Sequence, residues 1–201
     1  MNDTCIFTVC VDNFHPEISC KTIPAMKSYA EKINADFKVI EQRKFPGWSP
    51  TYEKMQVYEL GKEYECNILV DCDLLLTENM YDVREIVPLD YIGAWVQYDA
   101  SITIKQDEYL KLDGSDSILS TNFVLTRRDQ HKLWEPLDMS LATAKLRMKR
   151  WFVVDEYCAG RNFKKYGYKI SGILDKIPGI GIDKLFYHYN VTTSNEHTRN
   201  S

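Results

Sequence analysis

Short apolar runs alternate with amphipathic stretches along this chain, and their spacing predicts strands and helices in turn. Cys5 to Val11 is continuous enough to be a buried strand, broken by Asp12, Asn13 and Pro16. From Lys21 to Ile33, apolar Ile23, Met26, Ala30 and Ile33 recur three and four apart, the spacing of one face of a helix. Phe37 to Ile40 resumes as a strand. Strand, helix and strand at this separation predict a right-handed crossover in a parallel sheet. A loop of Arg43 to Pro50 then leads into a helix over Thr51 to Gly61.

Next comes the most informative stretch, Ile68-Leu69-Val70-Asp71-Cys72-Asp73, an apolar run that stops at two carboxylates one residue apart. A buried strand of this kind ends at the edge of its sheet, where open α/β sheets bind ligands. With an extended backbone, Asp71 and Asp73 point the same way and Cys72 the other. A lone aspartate there would start a turn or cap a helix. Two in alternation repel each other, and a hard divalent cation with oxygen ligands resolves that conflict.

Further strands are predicted at Tyr91 to Val96, Thr121 to Thr126 and Tyr168 to Leu174, with Phe186 to Tyr189 closing the fold. Gly93, inside its strand, predicts close approach of another backbone or of a ligand. Lys105 to Ser117 reads as a hairpin or loop, and Ile177 to Gly181 as a turn too sparse in glycine for a phosphate loop. Leu141 to Arg150 is a helix whose Lys145, Arg147, Lys149 and Arg150 read as a solvated cationic face. Asp155 and Glu156 open a helix running to Tyr166, a position that capping and the helix dipole favour for carboxylates whatever their function. His188 sits in an aromatic run, where a buried histidine is ordinary. Lys54 reads either as a solvated helix lysine or, with Tyr52 beside it at the sheet edge, as a contact for a phosphate-bearing ligand.

Composition narrows the classes. A chain of 201 residues holds one good core, here expected over 1–190, with a polar tail at 191–201. With 29 acidic against 25 basic residues and a net charge of -4, it is not built as a general nucleic-acid binder. It contains neither a membrane-length apolar run nor a basic signal-like start, so the expectation is a cytoplasmic protein, or one domain of a longer polypeptide. The six cysteines show no C-x-x-C spacing, and four lie in or beside predicted strands, as small apolar residues do. The sequons at Asn2 and Asn190 would matter only on secretion.

Taken together, the strand-terminal Asp71-x-Asp73, the strand carrying Thr121-Asn122-Phe123-Val124-Leu125, the acidic helix start Asp155-Glu156 and the late His188 resemble the GT-A glycosyltransferases. The resemblance runs from about Cys5 to Asn190. It implies a single α/β/α sandwich on a mainly parallel, mixed sheet, binding a nucleoside diphosphate sugar, expected to be a UDP-sugar, through Mn²⁺ or Mg²⁺. By the same resemblance Asp71 contacts the ribose or the metal, Asp73 and His188 ligate the metal, Asn122 touches the donor sugar, and Asp155 or Glu156 is the acid near a glycan or other hydroxyl acceptor. Rivals are a HAD-type phosphohydrolase with Asp71 as nucleophile, and a non-catalytic nucleotide-sugar or carbohydrate-binding module.

Overall fold

The computed structural model describes residues 2–94, 119–173 and, for the backbone alone, 186–188. The expectations for 105–117, 177–181 and the tail at 191–201 lie outside the described residues, as do Trp95, Val96, Leu174 and Tyr189.

A six-stranded sheet carries the fold. Its strands are β1 (Thr4–Val9), β2 (Asp36–Ile40), β3 (Cys66–Val70), β5 (Tyr91–Ala94), β6 (Phe123–Arg127) and β7 (Lys169–Gly172), in the order β2-β1-β3-β6-β5-β7. β1 pairs parallel with β2 and β3, and β5 with β7, whereas β6 runs antiparallel to both of its neighbours. The sheet is therefore mixed and mostly parallel, as expected. A second, two-stranded sheet joins β4 (Leu74–Leu76) to β8 (Phe186–His188), with Leu74 opposite His188.

Alternating side chains feed two layers. Ile6, Ile68 and Leu125 pack on one face with Met26, Tyr29, Ala30 and Ile33 of α1 (Pro16–Lys32) and the residue that follows it. Phe7, Leu69 and Val124 pack on the other with Tyr52, Met55 and Trp134 and with Cys158, Ala159 and Phe163 of α4 (Val154–Tyr166). Consecutive residues thus serve opposite layers, which is the period-2 rule applied to a sheet buried on both sides.

Several elements differ from their sequence expectation. α1 begins five residues early, because Pro16 takes the first-turn position where its missing N–H costs nothing. The stretch expected as one helix from Thr51 is a 3₁₀ segment, Pro50–Gln56, followed by a single turn, α2 (Val57–Leu60). α3 (Leu141–Arg147) starts at a Ser140 cap whose hydroxyl oxygen accepts from Thr143 N, and stops three residues short of Arg150. All six cysteines are free thiols.

Among the described residues, what comes nearest to Gly93 is side chains rather than backbone: a Cβ there would lie 2.7 Å from Val87 Cγ2 and 3.3 Å from Leu125 Cβ. Val87 is β-branched and cannot rotate freely away. Gly93→Ala is accordingly expected to cost about 1–3 kcal/mol of folding stability by overpacking. Urea unfolding measures it, and an unchanged midpoint would show that β5 and β6 have room to separate.

Candidate active site

The strands β1 and β3 end, and β6 begins, at one edge of the sheet. Asp71 follows the last residue of β3, and its backbone N–H donates to Asn122 O at 2.8 Å, so the Asn122 carbonyl extends the ladder by one bond. The chain then turns, with Leu74 N donating to Asp71 O at 3.0 Å. This corrects the extended reading of Asp71-Cys72-Asp73. The alternation of burial survives the turn all the same: Cys72 is buried and both carboxylate residues are partly exposed. The Thr22 hydroxyl of α1 donates to Cys72 O at 2.5 Å and fixes the turn from beneath.

Lys54 is where sequence reasoning and structure part most. Its side chain is only 6 % exposed, and Nζ lies 2.6 Å from Asp71 Oδ1, 2.8 Å from Asp155 Oδ2 and 3.0 Å from Thr121 Oγ1. The Thr121 hydroxyl donates in turn to Asp155 Oδ2 at 2.7 Å. One ammonium therefore ties the strand-tip carboxylate from the first half of the chain to the helix-start carboxylate from the second. It is not solvated, and its three donors already face protein oxygens. Tyr52, by contrast, belongs to the core: it stacks on Trp48 at 4.1 Å, and its hydroxyl accepts from Leu137 N at 2.7 Å.

The charges do not balance. Burial first, then Asp73 and Asp155, push the Asp71 carboxyl up to about 6 against the pull of Lys54. Asp155 is desolvated as well, yet the Lys54 charge and the bonds from Lys54 and Thr121 outweigh burial and hold it below the usual carboxylate range. Glu156, next in line, is pushed up to about 8 by burial and by the Asp155 charge, so it carries its proton at neutral pH. Two adjacent carboxyls are thus driven to opposite protonation states, the pattern that separates an acid from a base. The second oxygen of Asp155, Oδ1, is buried with no hydrogen-bond partner among the described residues. A buried carboxylate oxygen left this way is costly unless a substrate group completes it.

A divalent cation has a donor set to test. Asp71 and Asp73 offer hard oxygen ligands at the strand tip, and a cation would relieve the repulsion between them. Among the described residues no three His, Cys, Asp or Glu side chains form a metal-holding group. The third donor would come from the small sheet, where the register puts the His188 backbone opposite Leu74, one residue past Asp73. The carboxylate pair fits Mn²⁺ or Mg²⁺ in chemistry, and His188 lies on the strand from which a third ligand can arrive.

Sequence reading missed Thr121, although it directly precedes Asn122, and it missed the loop at the end of β1. Asp12, Asn13 and His15 there hold positive φ angles of 56°, 55° and 34°. Non-glycine residues in that region carry strain that surrounding contacts must hold. Asp12 is held by Arg43, whose Nη1 donates to its Oδ2 at 2.6 Å while Nε donates to the fully buried Glu53 at 2.8 Å. Glu53 also accepts from the Lys44 and Phe45 backbone, which folds the loop before Lys54 into place.

No protein-family model matches the sequence, and no curated protein matches it. Solved structures do. The structure of a Drosophila β1,4-galactosyltransferase 7 mutant in complex with manganese, UDP-Gal and xylobiose superposes with a TM-score of 0.51 at 12% identity, over 94% of this chain and 71% of that one. The chain has a GT-A glycosyltransferase fold. The catalytic domain of the same Drosophila enzyme with xylobiose gives a TM-score of 0.49 at 13% identity, over 95% of this chain and 72% of that one. A glycosyltransferase involved in glycosylation of the major capsid of PBCV-1 gives 0.47 at 10% identity, over 65% of this chain and 64% of that one. This chain therefore spans less than two thirds of the PBCV-1 protein's length. The GT-A fold puts the Asp71, Lys54 and Asp155 cluster at the strand-end edge, where α/β sheets of this kind bind ligands.

Proposed function

We propose that the chain is a metal-dependent glycosyltransferase that moves a hexose-type sugar from a nucleoside diphosphate sugar, uridine-based, to a hydroxyl acceptor. The observation that carries this reading is the Asp71, Lys54 and Asp155 bridge, which joins two carboxylates at the ligand edge of a GT-A fold. Manganese and UDP-Gal in the Drosophila relative support the donor and the metal assigned here.

Each residue then has a task. Asp73, Asp71 and His188 would hold the cation, which when bound supplies positive charge against the departing diphosphate. Asn122 lies between the ladder bond to Asp71 and the start of β6, a position suited to a donor-sugar contact. Lys54 keeps Asp71 and Asp155 from drifting apart and offsets part of their charge, so its contribution to phosphate binding is through the carboxylates rather than by direct contact. Asp155 Oδ1 is the acceptor for a substrate hydroxyl. The chemistry leaves two choices open: in an inverting reaction the already ionised Asp155 is the carboxylate that takes the acceptor proton, and in a retaining one the protonated Glu156 positions the sugar by donating to it.

The test is a panel of nucleotide sugars with Mn²⁺, scored for released nucleoside diphosphate and for thermal stabilisation, with and without chelator. At least one donor is expected to be hydrolysed or transferred, and chelation to remove both effects. Tight, metal-dependent binding with no release from any donor would favour a non-catalytic nucleotide-sugar module. A covalent phosphate trapped on Asp71 would favour the phosphohydrolase.

A further inference from the structure

β1 and β3 lie side by side in a register that sets Thr4 opposite Cys66 and Phe7 opposite Leu69. Carried past the ends of the two strands, that register brings Cys10 level with Cys72. The ladder bonds reach almost that far on both: Cys10 N donates to Ile40 O at 3.0 Å, and Asp71 N, one residue before Cys72, donates to Asn122 O at 2.8 Å. Side chains alternate along a strand, so Cys10 shares the face of Ile6, and Cys72 the face of Ile68 and Val70. Ile6, Ile68 and Val70 all pack in the α1 layer, which puts both thiols on the same side of the sheet. They meet there, the Cys72 and Cys10 side chains sharing a hydrogen bond.

The other four cysteines are placed elsewhere. Cys5 and Cys158 belong to the opposite layer, Cys66 stands opposite Thr4 at the far end of β3, and Cys20 is exposed on α1. A free cysteine ordinarily packs as a small apolar residue, and Cys72, only 5% exposed, fits that account by itself. Cys10 does not, because it is partly exposed and lies just past β1 at the ligand edge of the sheet. Neighbouring strands are about 4.8 Å apart, inside the roughly 4.4–6.8 Å that a disulfide spans between Cα atoms. A thiol open to solvent with a second thiol level behind it is the arrangement of a reacting and a resolving cysteine.

We propose that Cys10 and Cys72 are a reversible disulfide-forming pair, closed by peroxide, whose closure displaces the turn carrying Asp71 and Asp73. Cys10 sulfur attacks one peroxide oxygen, the O–O bond breaks, and Cys10 becomes a sulfenic acid as water leaves. Cys72 sulfur then attacks the Cys10 sulfur, the S–O bond breaks, and the departing hydroxide takes the Cys72 proton as a second water. Two thiols lose two electrons, and one peroxide gains them. The new S–S bond is about 2.05 Å long, closer than thiols approach in a hydrogen bond, so one backbone has to yield. Cys10 is tied into the β1–β2 ladder, whereas Cys72 sits in a turn closed by the Leu74 N–H to Asp71 O bond at 3.0 Å. The turn is the softer of the two, and its carboxylates move with it. The inference stands on register, face and exposure and does not depend on the transferase reading.

Peptide mapping of the full chain without reductant, after treatment with hydrogen peroxide, tests the link, and hydrogen exchange at the Leu74 amide tests the displacement. A Cys10 peptide joined to a Cys72 peptide is expected, separable by dithiothreitol. In the oxidised protein the Leu74 amide should exchange at least about tenfold faster, as its bond to Asp71 O is loosened, and should recover on reduction. Cys10→Ser, at a partly exposed position, should abolish both the link and the change in exchange. Cys10 that accumulates as a sulfinic or sulfonic acid while Cys72 stays a free thiol overturns the pairing. So does a link that forms only after the chain is unfolded in urea. A Cys10–Cys72 link with Leu74 exchange unchanged overturns the displacement.

Discussion

Lys54→Met is expected to lower folding stability by about 3–5 kcal/mol, the usual cost of removing one partner from a buried ionic group. The methionine fills most of the lysine's volume, so the loss is of charge rather than of packing. What remains is Asp71 and Asp155, both buried or partly buried, with no cation between them and with Asp73 nearby. Neither carboxylate can shed this cost except by taking a proton. In the native protein Asp155 is held below its ordinary range, so it contributes stability above its unfolded value, and that stability is lost as pH falls through the folded value. Without Lys54 the sign reverses, because an uncompensated buried carboxylate titrates above its unfolded value and destabilises as pH rises. The deficit between variant and native protein should therefore narrow between about pH 7 and about pH 4. Urea denaturation at both values measures it. A deficit below about 1 kcal/mol at neutral pH, the range of an exposed ion pair, would mean that the bridge is screened by solvent.

Asp73→Asn should act on ligands and leave the fold alone. The substitution is isosteric and at a partly exposed position on a turn whose geometry depends on backbone bonds at Asp71 and Leu74 and on the Thr22 contact to Cys72. It removes a charged oxygen ligand, for which a neutral amide oxygen is a poor substitute toward a hard cation. Mn²⁺ affinity by titration calorimetry, and nucleoside diphosphate release from the responsive donor, should each fall by more than about 100-fold, beyond the range typical of groups that only support a ligand. The unfolding midpoint should move little. Activity and metal affinity within a few fold of the native protein would remove Asp73 from the metal site, whatever became of the rest.

Much of this was legible from residue order, and the parts that were not share a cause. The strands β1 and β3 announce themselves because continuous apolar runs of that length must be buried on both faces, and the acidic stop after Val70 marks the ligand edge. Strand direction leaves no such trace: Phe123 to Thr126 reads the same whether β6 runs with its neighbours or against them. The 3₁₀ segment at Pro50–Gln56 was misread because apolar positions three and four apart fit either helix type over so short a span. The turn at Asp71 depends on a bond to Leu74 that a D-x-D pattern neither requires nor forbids. The role of Lys54 was out of reach for a further reason. Its partners Thr121 and Asp155 are distant in sequence, and a lysine's local neighbours say nothing about a carboxylate that tertiary folding delivers later.

That distance bears on how the molecule comes into being. Thr51 and Phe152 are bonded across 101 positions, and β3 lies between β1 from the beginning of the chain and β6 from well past its middle. A nascent chain emerging from the ribosome would hold its acidic tip and its lysine for many seconds before the closing helix arrives. Any chaperone that attends this protein would meet it in that half-made state, with the flank of β3 bare until β6 arrives, and a fragment cut before Phe123 should stay there.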